Sequence, residues 1–325
     1  MTRPIVSVEN LRKRFAVSRG MAGTAFVHAV DGVSLHVMPG ETLGIVGESG
    51  CGKSTVGRLM MRLIEPDEGS IRIDGTDIAH LPEHRVRPLR RKIQMVFQDP
   101  YSSLNPRMRA GDIVGEPLAV HGVAQGRELK ERVEDLFARV GLRSDQIDNT
   151  PSQFSGGQRQ RLAIARALAL EPSVIVADEP VSALDVSIQA QVVNLLLRLQ
   201  AEQGMAYVFI AHNLGIVQHV SDRIAVMYLG RLVETGPSDT VFEEPRHPYT
   251  QALLAAVPEI RPHRAGSSSV PVIGDVPSPI SPPSGCHFHP RCPLANERCR
   301  REIPLLLPDD SGSSAACHRV EEGIA

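Results

Sequence analysis

The chain has 325 residues, a formal net charge of −2 and 22% charged side chains. This length accommodates one large core and an appendage, so two domains are expected. The near-neutral charge offers no basic surface of the kind that binds nucleic acid, and the composition is not that of a disordered chain.

Apolar runs are broken by charge well before the ~18 residues that a membrane-spanning helix needs. The N-terminal stretch from Met1 to Val6 lacks the apolar core of a secretion signal. We therefore expect a cytosolic chain with reduced thiols, whose role at a membrane would come through a partner.

The opening third is predicted to be rich in strands. Residues 5–15 and 27–37 have strand character, and a small polar loop from Ser18 to Thr24 separates them. The second strand ends at the turn Met38-Pro39-Gly40, and residues 70–75 predict another short strand. These strands indicate a sheet lying beside an α/β core.

Between these strands lies a phosphate-binding loop pattern, G-x4-G-K-[S/T]. Its residues are Gly47, Glu48, Ser49, Gly50, Cys51, Gly52, Lys53 and Ser54. An apolar run precedes it, and a helical pattern beginning at Thr55, which we include in the phosphate-binding set, follows it. The glycines let backbone N–H groups turn toward phosphate oxygens, and the helix adds its dipole. Lys53 is expected to reach the terminal phosphates, and Ser54 to coordinate Mg²⁺.

The next candidate is Gln98, which follows a buried-type strand at residues 93–97 and precedes the break at Asp99-Pro100. A glutamine at the carboxyl end of a strand can direct its amide oxygen at a metal or a water. Alone, such a residue is more often a strand-end cap. From Asp112 to about Gly141 the pattern is helical, and Gly141 is a plausible helix stop.

A second helix start has the character of an anion site. Ser155 occupies the expected N-cap position, and Gly156, Gly157 and Gln158 open a strong Ala/Leu/Arg-rich helix. An ordinary capped helix does not explain two adjacent glycines in the first turn, where they are costly. We therefore predict that this helix N-terminus approaches a phosphate.

Acidic residues follow the next strand, and a histidine follows the one after it. Asp178 and Glu179 come after residues 174–177, at the strand end where ligands of parallel α/β sheets bind. Asp178 is expected to hold Mg²⁺, and Glu179 to polarise the attacking water. The segment from Ser182 to Asp185 then opens a helical stretch, and His212 ends the strand at residues 207–211, where it can hydrogen-bond a terminal phosphate.

With these motifs in order, the chain resembles the ATP-binding subunits of ABC transporters over about residues 5–240. The resemblance identifies residues 47–54 as Walker A, Gln98 as the Q-loop, residues 155–158 as the signature, Asp178-Glu179 as Walker B with its catalytic glutamate, residues 182–185 as the D-loop and His212 as the H-loop. It also implies that Phe15 stacks on adenine. Phe154, Ala211 and Asn213 depart from the commoner family residues, so only the fine geometry near His212 differs from the pattern.

The resemblance implies a fold class of α/β, with a P-loop NTPase (RecA-like) core, an antiparallel β subdomain and a helical signature subdomain at about residues 99–168. We predict an ABC ATPase domain over residues 1–244. A C-terminal extension over residues 245–325 would then carry a four-cysteine module at residues 286–317.

Two stretches resemble the oligopeptide/dipeptide importer branch, residues 99–107 and residues 245–250. That resemblance implies an ATPase at the cytoplasmic face of the membrane, bound to two permease subunits and paired with a paralogue or with itself. ATP and Mg²⁺ would lie between Walker A of one subunit and the signature motif of the other. An external solute-binding protein would capture the peptide, and residues 98–107 would lie where a permease docks.

Other functions share parts of this sequence pattern. An importer for another small solute such as nickel belongs to the same broad branch. Soluble ABC ATPases share the six motifs but usually carry a coiled-coil insertion or two ATPase halves, and neither is visible here. A P-loop GTPase or kinase shares only the first motif, so the signature helix argues against it.

Four cysteines are concentrated in the last 40 residues: Cys286, Cys292, Cys299 and Cys317. In a reducing cytosol this favours a metal over disulfides, and four thiolates suit a [4Fe–4S] cluster, which members of the resembled branch can carry. Zinc and free structural thiols remain alternatives, with His287, His289 and His318 as further possible ligands. The Pro/Ser-rich run at residues 261–284 is interpreted as a linker or an extended segment that wraps the domain before this small module. The fifth cysteine, Cys51, is expected to be acidified and reactive because it begins a helix.

Overall fold

The computed structural model describes residues 3–18, 20, 23–256, 274–309 and 312–323. Its strands are β1 (Val6–Ser18), β2 (Thr24–Val37), β3 (Thr42–Val46), β4 (Glu68–Ile73), β5 (Thr76–Asp77), β6 (Ile93–Val96), β7 (Val174–Asp178), β8 (Ala206–Ile210), β9 (Arg223–Tyr228), β10 (Arg231–Pro237), β11 (Leu307–Pro308) and β12 (Ser314–Ala315). Its α-helices are α1 (Lys53–Met60), α2 (Glu83–Leu89), α3 (Pro100–Ser103), α4 (Ala110–Val120), α5 (Gly126–Arg139), α6 (Gly156–Leu168), α7 (Val186–Gln203), α8 (Leu214–Val220), α9 (Ser238–Glu243), α10 (Pro248–Ala255), α11 (Glu297–Arg301) and α12 (His318–Glu321).

One sheet is antiparallel throughout, in the order β2-β1-β4-β5. Along the second half of β2, Val33, Leu35 and Val37 are buried, while the residues between them are exposed. This alternation is typical of a sheet with one face on the core and the other in water. The predicted antiparallel β subdomain is therefore present.

The larger sheet runs in the order β11-β12-β10-β9-β3-β8-β7-β6. Its five strands from β9 to β6 are mutually parallel, and β10 pairs antiparallel with β9. Every residue of β3, β7 and β8 is buried, as expected where both faces of a parallel sheet are covered. The carboxyl ends of β3, β6, β7 and β8 consequently meet at one edge, and the predicted functional residues follow these ends.

The helical segment differs from the single predicted run. It consists of two helices, because Gly122 adopts a φ of +65° just after α4 and the chain restarts at Gly126. Gly141, with a φ of +71°, follows the end of α5, so the predicted helix stop is confirmed. Helices α4, α5 and α6 pack through buried side chains that include Leu118, Phe137 and Leu162.

The C-terminal region packs against the larger sheet. Strand β12 pairs with β10 at Glu234 and Thr235, and Phe288 belongs to the same core as Tyr228 of β9. The predicted linker falls largely outside the described residues, since residues 257–273 are not among them. In the described part of the chain, each helix is too short or too polar to cross a lipid bilayer.

Candidate active site

The phosphate loop joins the buried strand β3 to helix α1. Gly52 caps the helix with a φ of 107°, and Gly47 has a φ of 150°. A Cβ on Gly47 would lie only 2.2 Å from the carbonyl oxygen of Met227, so the close approach of β9 also requires glycine here. The loop is therefore shaped by its own backbone and by the neighbouring strand.

Lys53 lies inside this loop and is only 4% exposed. Its Nζ donates hydrogen bonds to the carbonyl oxygens of Gly47 (2.7 Å) and Glu48 (3.0 Å). An ammonium group confined in this way is close to the loop's backbone amides and can exchange its carbonyl partners for phosphate oxygens.

Ser54 and Asp178, which are 124 residues apart, are brought into contact. The Ser54 hydroxyl donates to Asp178 Oδ1 at 2.7 Å. Burial raises the pKa of Asp178, and the hydrogen bond from Ser54 opposes that rise. A hydroxyl beside a carboxylate is the oxygen donor set that Mg²⁺ prefers, so these residues fit the ion predicted for this position.

Glu179 is the centre of a second cluster at the same edge. Its backbone has a φ of 45°, and its N–H donates to the carbonyl oxygen of Ile210 on β8 (2.8 Å). Gln98 Nε2 donates to Glu179 Oε2 at 2.9 Å, and His212 Nδ1 lies 3.3 Å from the same oxygen. Gln98 and His212, predicted as catalytic from separate motifs, therefore converge on the carboxylate of Glu179, the third predicted catalytic residue.

The signature segment begins α6 with a capping box. Ser155 Oγ accepts from the N–H of Gln158 (3.3 Å), and Gln158 Oε1 accepts from the N–H of Ser155 (2.9 Å), so the predicted N-cap is confirmed. Ser155 is exposed, as is Asp185 at the start of α7, and the adjoining Val186 is 81% exposed. This surface is open to a second macromolecule.

Phe15 lies on β1, opposite Val27 of β2, and is 36% exposed. Lys13 Nζ is 5.7 Å from the centroid of its ring. An accessible aromatic face beside a cation can stack on a purine base, so the position is compatible with the predicted contact to adenine.

Known proteins resemble this chain along nearly its whole length. The ABC transporter family matches residues 30–182, and the family described as the C-terminal region of oligopeptide/dipeptide transporters matches residues 233–299. A probable peptide ABC transporter ATP-binding protein from Sinorhizobium fredii is 54% identical over 98% of this chain and 90% of its own length. This chain is an ATP-binding subunit of the oligopeptide/dipeptide ABC transporter family.

Other relatives agree with this assignment. The oligopeptide transport ATP-binding protein AppF of Bacillus subtilis is 50% identical over 97% of both chains. The dipeptide transport ATP-binding protein DppF of Escherichia coli is 46% identical over 99% of this chain and 96% of its own. Among solved structures, the dimeric ATP-binding cassette MJ0796 bound to ADP and phosphate has a TM-score of 0.65 and 31% identity, over 72% of this chain and 98% of that one. The cassette fold of this ABC subunit is thereby established.

The prediction of an iron–sulfur cluster is wrong, and so is the broader prediction of a metal at the C-terminal cysteines. Within the described residues, which include all four of these cysteines, the structure has no group of three or more His, Cys, Asp or Glu residues that could hold a metal ion. Burial raises the pKa of Cys286 to about 12 and that of Cys292 to about 11, which favours thiols over the thiolates that bind metals. Crowding along the sequence was therefore not sufficient to indicate a metal site.

Cys51 also differs from expectation. It is 5% exposed, and burial raises its pKa despite its position beside the helix start and Lys53. Desolvation of the thiolate thus outweighs the positive charges near it, and the predicted acidified thiol is not supported.

Two residues at the phosphate loop were missed by sequence reasoning. Tyr249 and Arg291, both from the C-terminal region, contact Glu48. Tyr249 belongs to residues 245–250, which only the family resemblance singled out. No local pattern marks Arg291, because its partner lies 243 residues earlier.

Proposed function

We propose that this chain hydrolyses ATP to power the import of dipeptides or oligopeptides through a membrane ABC transporter. The observation that carries the proposal is the contact of Ser54 with Asp178, beside the cluster of Gln98, Glu179 and His212. It brings an oxygen donor set for Mg²⁺ next to a carboxylate suited to water activation. The curated relatives named as peptide transport ATP-binding proteins support the choice of solute.

Binding of the triphosphate falls to the Walker A loop, residues 47–55. Its backbone amides and Lys53 hold the phosphate oxygens, while Ser54 and Asp178 hold Mg²⁺, with Gln98 as the further predicted ligand. The ion supplies charge neutralisation on the phosphates when bound. Phe15 stacks on the adenine.

Hydrolysis depends on Glu179. The carboxylate orients a water molecule and accepts its proton as the water oxygen bonds to the γ-phosphorus. The bond from that phosphorus to the bridging oxygen breaks, and its electron pair leaves with ADP. Gln98 and His212, which both contact Glu179 Oε2, position this carboxylate, and His212 can hydrogen-bond the transferred phosphoryl group.

A second ATPase subunit completes each site. Ser155 and Asp185 are exposed and residues 156–158 are half-buried, which supports their proposed contact with nucleotide held by the other chain. The solved relative MJ0796 is described as dimeric with bound ADP and phosphate, which supports the pairing of two such subunits. We infer that the isolated chain turns over ATP weakly until it pairs, either with a paralogue or with itself.

The permease subunits dock beside Gln98. A cleft of about 990 Å³ has Gln98, Asp99 and Ser102 in one wall and a set of arginines around it: Arg58, Arg87, Arg90 and Arg166. Tyr101, on α3, is 63% exposed next to this wall. A short permease helix seated there would contact the Gln98 cluster directly, which would place this chain at the cytoplasmic face of the membrane.

We propose an ATPase domain over residues 1–244, with its helical subdomain at about residues 99–168, followed by the C-terminal extension over residues 245–325. The match of residues 233–299 to the oligopeptide/dipeptide transporter C-terminal region supports an importer function over a soluble ABC ATPase. An external solute-binding protein would deliver the peptide to the permeases.

The test uses Glu179→Gln in the chain co-expressed with its permeases. We expect MgATP binding to be retained, while ATP turnover and uptake of a labelled dipeptide fall by at least ~100-fold, the lower range for loss of a general base. Glu243→Gln, at an exposed position on α9, is the matched control and should behave as wild type. Unchanged turnover in Glu179→Gln would refute the assigned role, and purification without any permease would favour a soluble ABC ATPase.

A further inference from the structure

The C-terminal region reaches the opening of the phosphate loop through Glu48. The backbone N–H of Glu48 donates to the Tyr249 hydroxyl at 2.9 Å. Arg291 donates twice to the Glu48 carboxylate, from Nη1 to Oε2 at 2.8 Å and from Nη2 to Oε1 at 3.0 Å. The second loop residue is therefore held at both its main chain and its side chain by distant residues.

Both contacts originate in the protein core. Tyr249 is 2% exposed, and its ring centroid lies 4.7 Å from that of Tyr228 and 5.5 Å from that of Phe288. Arg291 has a side chain only 9% exposed, and its Nη1 lies 3.4 Å from the Tyr228 hydroxyl. Because Tyr228 ends β9, which pairs with β3, these side chains are anchored on the strand beside the one that leads into the loop.

The position of Tyr249 is fixed further by the start of α10. The buried carboxylate of Glu234 accepts hydrogen bonds from the N–H groups of Arg246 (2.8 Å) and His247 (3.0 Å). His247 Nδ1 then accepts from the N–H of Tyr249 at 3.0 Å. Strand β10 therefore sets where the Tyr249 hydroxyl lies.

Tyr249 and Arg291 support Glu48 independently of Lys53. Lys53 Nζ donates to the carbonyl oxygens of Gly47 and Glu48, and it can exchange these bonds for bonds to phosphate. The contacts from Tyr249 and Arg291 use other groups of Glu48, so they remain when Lys53 moves. Arg291 also offsets a carboxylate charge that would otherwise oppose a triphosphate.

We propose that Arg291 and Tyr249 are positioning residues that keep the phosphate loop in its nucleotide-binding shape, so that the C-terminal region sets the affinity for ATP. This inference rests on the proposed ATP site. It adds that the site is incomplete without Tyr249 and Arg291, which lie within the C-terminal match at residues 233–299. Preorganisation of this kind improves binding by reducing the ordering that the ligand must impose.

The test compares full-length variants in the assembled transporter. Arg291→Met should raise the KM for MgATP roughly tenfold, equivalent to about 1.4 kcal/mol and close to the low end for a charged hydrogen bond, with kcat changed by less than about twofold. The double variant Arg291→Met/Glu48→Gln should recover most of this loss, because no unpaired carboxylate remains. A purely structural role for Arg291 would give no such rescue.

Two further variants keep the test decisive. Tyr249→Phe removes one hydroxyl but keeps the packed ring. It should raise KM by about threefold, as expected for the loss of one neutral hydrogen bond, even if Arg291→Met lowers the melting temperature. Arg298→Met is the control, because Arg298 pairs with Glu302 and Glu321 in the same region. It should leave KM unchanged.

The outcomes separate this inference from the proposed function. If wild-type protein fails to bind MgATP in calorimetry, the ATP site itself is refuted. If wild type binds, but Arg291→Met and Tyr249→Phe bind equally well, only the positioning role is overturned. A double variant no better than Arg291→Met would also contradict the charge argument.

Discussion

The two signature glycines are predicted to respond in opposite ways to alanine, although they are adjacent in the first turn of α6. A Cβ on Gly157 would lie 2.5 Å from Ile188 Cγ2, whereas a Cβ on Gly156 would lie 3.4 Å from Leu184 Cδ2. Packed carbon atoms prefer ~3.5–4.0 Å, so Gly157→Ala demands a shift of about 1 Å between α6 and α7. Gly156→Ala requires almost none.

The change in the free energy of unfolding depends on two opposing contributions, helix propensity and steric overlap. Alanine gains up to ~1 kcal/mol over glycine in a helix, while forcing an extra carbon into a packed site costs ~1–3 kcal/mol. Gly157→Ala should therefore lower the free energy of unfolding by up to about 2 kcal/mol, and Gly156→Ala should leave it unchanged or raise it slightly. At about 1.5 °C per kcal/mol for a chain of this length, the difference is measurable as a melting temperature by calorimetry.

A compensating change tests the assigned cause. Ile188→Ala removes the atom that Gly157→Ala would strike, so the double variant should be no less stable than Ile188→Ala alone. Because Ile188 lies three residues after Asp185, the same double variant should also recover part of any ATPase activity lost in Gly157→Ala. Equal melting temperatures for Gly156→Ala and Gly157→Ala would refute the packing argument.

Two titratable groups give further predictions. Cys51 should react with iodoacetamide more slowly in native protein than in the unfolded chain at pH 8, because burial raises its pKa and the thiolate is the reactive form. The rate of modification, measured by mass spectrometry, should increase as the pH rises. MgATP should lower this rate further. Burial lowers the pKa of His247 to about 3. As the pH falls below the histidine pKa of ~6.5 in the unfolded chain, the unfolded chain takes up a proton that the folded chain does not. The free energy of unfolding should therefore decrease as the pH falls from about 6.5 to about 3. His247→Asn, whose amide oxygen can accept the same cap hydrogen bond, should show a weaker fall in melting temperature between pH 6.5 and pH 4, and an unchanged slope would contradict this account.

The parts of the site that could be predicted are those with local signals. Walker A is recognisable because its glycines, lysine and serine lie within eight consecutive residues, 47–54. Asp178, Glu179 and His212 could be placed together because each follows a buried strand, and parallel strands share a carboxyl edge. The structure brings Gln98 and His212 to the same oxygen of Glu179, a detail that strand ends alone do not specify.

The parts that could not be predicted depend on long-range packing. The break between α4 and α5 follows from the backbone of Gly122, which a helical pattern of side chains does not reveal. The thiol of Cys51 has a raised pKa because surrounding atoms exclude water, although its position beside the helix start suggested the opposite. The four C-terminal cysteines show the same limit, since their spacing says nothing about how deeply each is buried.

Glu48 connects the C-terminal region to the phosphate loop. A P-loop requires only that its backbone amides face the phosphates, and Glu48 is a variable position in the pattern. Here its N–H and its carboxylate are both held from the C-terminal region, by Tyr249 and Arg291. That region also adds β12 to the edge of the sheet that carries the loop. Displacing the C-terminal region should therefore alter ATP affinity before it alters the chemistry at Glu179, because the residues of the two clusters are held by different contacts.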